Sequence, residues 1–141
     1  MYQLSKHSLG RLTGVHPDLV RVVKRAIEKT DVDFGITEGV RSLERQKACL
    51  AAGKSWTLHS RHLTGHAIDV DAFVNGEVRW EWPLFERIAA AMKKAASELG
   101  VLVVWGGDWE TLRDGCHFEL DRRAYPSENT SGKDLASASR V

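Results

Sequence analysis

The sequence predicts an α+β fold, a small antiparallel sheet with helices packed on it, and three observations carry that reading. Short apolar runs with strand-like alternation are joined by turn signals rather than by helical crossovers. Two longer stretches with helical spacing fall outside those runs. The chain has 141 residues of which 43% are hydrophobic, enough for one core but not for two.

In chain order, the first clear helix runs from Pro17 to about Lys29. Leu19, Val20, Val22, Val23, Ala26 and Ile27 form its apolar face, Pro17 suits the first turn, and Asp18 complements the helix dipole. Phe34 to Val40 alternates loosely and predicts a strand. Ser42 then caps a short helix to about Ala52, which Gly53 ends. Residues 54 to 66 predict a loop rich in His, Ser and basic residues. Ala67 to Phe73 carries the pattern of a buried strand, and Asn75-Gly76 is a hairpin turn into Glu77 to Trp80. Leu84, Phe85, Ile88, Ala91, Met92, Ala95 and Leu99 share one face of a helix from Pro83 to Leu99, closed by Gly100. Val101 to Trp105 predicts a fourth strand, Gly106-Gly107 a turn, and Cys116 to Leu120 the last strand. Trp80 and Trp82, beside the turn into the long helix, are expected in the core. The chain divides into a folded domain over residues 1–123 and a polar tail over 124–141 with no periodicity, expected to be mobile.

Composition excludes several classes. Lys and Arg number 20 against 19 Asp and Glu, a net charge of +1, which predicts no nucleic-acid partner. The sum hides a basic first 30 residues, with six Lys/Arg against two Asp/Glu, and an acidic stretch over 61–120, with six against ten. The longest apolar stretch falls far short of the ~20 residues of a membrane span, so no stable membrane insertion is expected. Two cysteines make no disulfide framework. The N-terminus shows no signal peptide, and the chain is expected to remain in the cytoplasm where it is made.

The chemistry concentrates in Ser60-Arg61-His62-Leu63-Thr64-Gly65-His66-Ala67-Ile68-Asp69 and Asp114-Gly115-Cys116-His117-Phe118-Glu119-Leu120. His62, Asp69 and His117 supply two nitrogens and one oxygen, a set that Zn²⁺ accepts and that leaves a fourth position for water. Strand alternation puts Asp69 opposite Ile68, and His117 on the face of Glu119. Spacing alone also fits a solvated strand face, and His59 and His66 are rival ligands by type. Asp114 is placed as a carboxylate near a metal-bound water, the position of a general base. Arg41 is placed to hold a substrate carboxylate or an oxyanion. Cys116 beside His117 is a poor nucleophile pair, because neighbours on a strand point to opposite faces. Asp108 is a candidate orienting partner for a ligand imidazole, and Trp56 and Trp109 are candidate groove aromatics.

The motif Ser60-x-His62-x-x-Gly65-x-Ala67-x-Asp69 followed by Asp114-x-x-His117 resembles the zinc D-alanyl-D-alanine peptidase and Hedgehog-like superfamily. The closer resemblance is to its small phage endolysins, the L-alanyl-D-glutamate peptidases. Val15-His16-Pro17-Asp18-Leu19, Gly39-Val40-Arg41-Ser42 and Trp105-Gly106-Gly107-Asp108-Trp109 extend it over residues 10 to 121. The resemblance implies a Hedgehog/DD-peptidase-like fold, Zn²⁺ on His62, Asp69 and His117, Asp114 as catalytic base, and Arg41 as a catalytic and substrate-binding residue. Ser60 and Trp109 are the further expected substrate contacts. The substrate implied is the peptidoglycan stem peptide, cut by a monomer during host lysis. A holin would give access from the host cytoplasm to the periplasmic wall. Asp114 and Cys116 stand where the carboxypeptidase branch commonly has Glu and Trp, which favours the endolysin branch. A D-alanyl-D-alanine carboxypeptidase and a non-catalytic zinc-containing wall-binding module are the alternatives.

Overall fold

The computed structural model describes residues 1–53 and 60–126. Its elements are α1 (Lys6–Arg11), α2 (Pro17–Lys29), β1 (Asp33–Glu38), α3 (Leu43–Ala51), β2 (Ala67–Val74), β3 (Glu77–Arg79), α4 (Trp82–Leu99), β4 (Val103–Trp105) and β5 (His117–Leu120). The strands form one antiparallel sheet in the order β1-β2-β5-β4, with β3 also paired to β2. The predicted α+β architecture is the observed one. Among the described residues no helix is long and apolar enough to cross a membrane.

One face of the sheet makes the core. Ile68, Val70 and Ala72 alternate inward along β2 and meet Leu19, Val22, Val23 and Ala26 of α2 and Ile88 and Met92 of α4, all fully buried. The residues between them on β2, Asp69, Asp71 and Phe73, therefore project from the opposite face. The sheet thus separates an apolar side that holds the fold from a polar side that carries the chemistry.

Helix ends follow local chemistry. His16 caps α2, its Nδ1 accepting from the Asp18 backbone N–H, and Ser42 caps α3 by accepting from the Arg45 N–H. α4 begins at Trp82, with Pro83 in the first turn, and ends where Gly100 turns left-handed.

Several expectations are corrected. α1 carries too few residues for a periodic signal; it covers the free edge of β1, where Ser8 Oγ accepts from the Ile36 N–H. The 54–66 loop contains a 3-10 turn at Arg61–Thr64. Trp80 is not core but 69% exposed, because β3 ends before it and its face is the polar one. Trp82 is partly buried and stacks at a tilt on Trp105. Packing continues past residue 123: the Tyr125 hydroxyl donates to Asp18 Oδ2 at 2.7 Å, and its carbonyl accepts from Arg61. Residues 127–141 lie outside the described residues.

A pH dependence follows from the neighbouring His66. His66 sits beside His16, with ring centroids 5.7 Å apart, and its Nδ1 lies 2.7 Å from Thr64 Oγ1. Burial, then the charges of Arg61 and His16, depress its pKa to about 4. A histidine held neutral in the fold gives stability that is full above its unfolded pKa of about 6.5 and declines as pH falls toward 4. In metal-free protein, the loss of melting temperature between pH 7.5 and pH 4.5 is expected to be smaller in His66→Gln than in the wild type. An identical loss in both would exclude His66 as a source of acid sensitivity.

Candidate metal centre and active site

Two strand pairings and one turn build the centre. Register places Asp69 of β2 opposite His117 of β5 on one side and opposite Glu38 of β1, beyond a bulge, on the other. His62 arrives from the 3-10 turn. That turn is capped by Ser60, whose Oγ accepts from the His62 N–H, and closed by Gly65 at φ 77°. Gly65 has no alternative there, since a Cβ would run into the Gly14 carbonyl at 2.5 Å.

The three side chains predicted as ligands meet. Asp69 Oδ1 lies 3.3 Å from His62 Nε2 and 3.1 Å from His117 Nδ1. The other ring nitrogens are already engaged: His62 Nδ1 with the Gly39 carbonyl at 2.9 Å and His117 Nε2 with Glu119 Oε1 at 2.9 Å. His62 Nε2 is buried yet has no hydrogen-bond partner among the described residues. An orphaned buried nitrogen costs about 1–3 kcal/mol unless something binds it. Donors sharing one tetrahedral ion at ~2.0 Å stand roughly 3.3 Å apart, which matches both separations. The His62, Asp69 and His117 donor atoms thus fit a metal ion, with both imidazoles oriented from behind as metal-bound histidines usually are.

Electrostatics agree with that arrangement. Burial alone would raise the Asp69 pKa, but the His62 and His117 imidazoles hold it well below the usual carboxylate range. Burial likewise opposes charge on His117, and hydrogen bonds to Asp69 and Glu119 override it, raising the imidazole to about 9. An incoming metal would displace that proton. Glu119, 3% exposed, is itself neutralised by Arg122 Nε at 3.0 Å and faces Arg61 at 4.0 Å.

Asp114 stands next to this cluster. Its carboxylate, that of Asp69 and the Cys116 sulfur lie within 4.8 Å of one another. The loop is pinned by the Asp114 N–H donating to the Gly106 carbonyl and by the His117 N–H donating to the Asp114 carbonyl. Gly106 is required because a side chain would collide with the Asp114 backbone. Cys116 donates its thiol to Asp114 Oδ1 at 3.0 Å. Burial, with Asp69 and Asp114 nearby, pushes that thiol up, so it remains a donor and no nucleophile.

Other expected site residues land differently. Arg41 is only 8% exposed, and Glu38 and Gln46 take its Nε and Nη1 at 2.7 Å each. Its Nη2 faces Asp69 Oδ2 at 3.7 Å, so it braces the ligand carboxylate and offers no open fork to a substrate. Ser60 is buried with its hydroxyl committed to the turn, which removes it from substrate contact. Trp109 is partly exposed, its ring 5.3 Å from that of His117, at the mouth of the centre. Asp108 pairs with Lys93 at 2.6 Å and orients no histidine among the described residues. His66 points to Thr64 rather than to Asp69. Trp56 and His59 lie outside the described residues. The orienting role expected of Asp108 falls to Glu119; the signal was its place two residues after His117 on the same strand face.

The fold is shared with known peptidases. The vancomycin-resistance D,D-dipeptidase VanXYg, solved with a D-Ala-D-Ala phosphinate analog, superimposes with a TM-score of 0.52 at 20% identity. The match covers 89% of this chain and 56% of that one. The Serratia marcescens L-Ala D-Glu endopeptidase ChiX superimposes with a TM-score of 0.84 at 50% identity, over 89% of this chain and 95% of that one. Fold and site therefore define a small α+β peptidase. The sequence profile of phage L-alanyl-D-glutamate peptidases matches residues 1–128, and the chain belongs to that family. The L-alanyl-D-glutamate peptidase of Escherichia phage T5 is 33% identical over 128 residues, 88% of this chain and 93% of that protein. That of Listeria phage A118 is 32% identical over 106 residues, 75% of this chain but 36% of its own length.

Glu119 gives the sharpest test of the centre. Glu119→Gln keeps the shape but weakens the hold on His117, and is expected to lower metal affinity by ~10–100-fold in chelator competition. Unchanged affinity would show that Glu119 does not orient the ligand.

Proposed function

We propose that this chain is a zinc-dependent endopeptidase that hydrolyses the L-alanyl–D-glutamate bond of peptidoglycan stem peptides in host lysis. The orphaned His62 Nε2, aimed with His117 Nδ1 at one oxygen of Asp69 and flanked by Asp114, carries the reading. A zinc ion held by His62, Asp69 and His117 would supply the Lewis acidity that polarises a scissile carbonyl and acidifies water.

The chain's own groups do the rest. Asp114 accepts the proton of the attacking water at a carboxylate oxygen and returns it to the departing amine, general-base then general-acid work worth ~10²–10⁴ in rate. The Cys116 thiol and the Gly106 carbonyl hold that carboxylate and its backbone in place. Arg41 keeps the second Asp69 oxygen from turning, and Trp109 walls the mouth where the substrate backbone enters. The family supports this bond over terminal D-alanine removal, and a poised carboxylate has no use in a silent wall-binding module. We further propose that the protein acts as a monomer, and that it reaches the periplasmic wall from the host cytoplasm once a holin opens the inner membrane.

Mass analysis of muropeptides after digestion reads the bond directly; release of free D-alanine instead would overturn the assignment. Asp114→Ala is expected to lose at least ~100-fold in turnover while retaining about one zinc per chain. Zinc loss in that variant would make Asp114 a ligand. His62→Ala is expected to lose both metal and activity, and full activity would refute the site.

A further inference from the structure

On the polar face of the sheet, one step beyond the metal centre, lies a groove of about 440 Å³ that the mechanism does not use. Asp71 and Phe73 of β2, Asp33, Gly35 and Thr37 along β1, and Arg11 of α1 line it. Strand alternation puts Asp71 and Phe73 on the same face as Asp69, so the groove continues the active-site surface. Gly35 lies buried under its floor, where a Cβ would press on the Phe73 ring at 2.9 Å and the Ser8 hydroxyl at 3.1 Å.

The groove's charges are of both signs, and Arg11 lies close enough to Asp71 to stabilise its charge. Asp71 takes one hydrogen bond, from the Trp80 indole, and Asp33 one from the Phe34 backbone; neither is in an ion pair among the described residues. Arg11 uses Nη1 to reach the Ile36 carbonyl at 3.1 Å. Two part-buried carboxylates beside a guanidinium and an aromatic ring complement a side chain with an aliphatic stem ending in an ammonium next to a carboxylate.

Resting on the L-alanyl–D-glutamate reading above, we propose that this groove binds the diamino acid that follows D-glutamate in the stem peptide. Asp71 and Asp33 receive its distal ammonium, and Arg11 its distal carboxylate. Reach agrees. From the scissile carbonyl through γ-linked glutamate to that ammonium is about twelve bonds, roughly 15 Å extended. Along β2, Asp71 lies roughly 7 Å and Phe73, the partner of Asp33, roughly 13 Å from Asp69, so the extended chain reaches Asp33 and bends back to meet Asp71.

The zinc-loaded protein is assayed on L-Ala-γ-D-Glu-X peptides in which X is meso-diaminopimelate, lysine or norleucine. The expected order of kcat/KM is diaminopimelate, lysine, norleucine, with about two- to fivefold at each step. Asp71→Asn is expected to shrink the lysine-to-norleucine ratio, and Arg11→Gln the diaminopimelate-to-lysine ratio. Each ratio is taken on one preparation, so losses through folding or zinc cancel. Equal rates on the three peptides, or ratios untouched by the variants, would overturn the proposal while leaving the peptidase reading intact. Failure to cut any of them at the L-alanyl–D-glutamate bond would instead sink that reading, and this proposal with it.

Discussion

The Asp69 carboxylate is the point on which the rest of the structure depends. A charge placed in a sheet one residue from Ile68 and Val70 is costly unless its surroundings answer it. They do so from three directions: His117 across one strand pair, His62 from the 3-10 turn, and Arg41 from beyond β1. None of these could be supplied by a different register. A slip of one residue in β2 would turn Asp69 into the core and Ile68 and Val70 outward, so core packing and site assembly select the same pairing.

Behind Asp69, signs alternate outward. His117 lies between Asp69 and Glu119, Glu119 between His117 and the guanidinium of Arg122, and Arg61 stands on the far side. Arg61 in turn holds the Leu120 and Tyr125 carbonyls, which ties the end of β5 and the segment after it to the metal turn. Removing one member of such a chain leaves a buried charge unanswered, which costs more than the pair gains. This explains why so many charged groups sit close behind the ligands while the core face of β1, β2 and β5 is lined by apolar side chains.

What was legible in the sequence was periodic or chemically singular. The alternation of 67–74, the apolar faces of α2 and α4, and the Asn75-Gly76 turn each rest on local rules, and each element stands within a residue or two of its expected place. His62, Asp69, His117 and Asp114 stood out by residue type, but spacing alone also fitted a solvated strand face, and the family resemblance singled them out. Roles that depend on which partner lies across the sheet were not visible. Arg41 reads as an open guanidinium until Glu38 and Gln46 are seen to occupy it. Ser60 reads as a substrate hydroxyl until it caps the turn. Trp80 reads as core because its type outweighs its face. Glu119 was in view on the right face, but its use required knowing which nitrogen of His117 turns to Asp69.

Asp69 also belongs to a second cluster, with Asp114 and Cys116. That sharing has a consequence for the division of labour. Ligands carried on paired strands and a capped turn are held rigidly, as a metal requires. Asp114 instead rides on a loop that its own backbone hydrogen bonds pin beside the cluster. Two carboxylates this close repel. The imidazoles and Arg41 absorb the charge of Asp69, and the Cys116 S–H stabilises that of Asp114. The asymmetry of partners suits Asp69 to hold a metal ion and Asp114 to handle a proton.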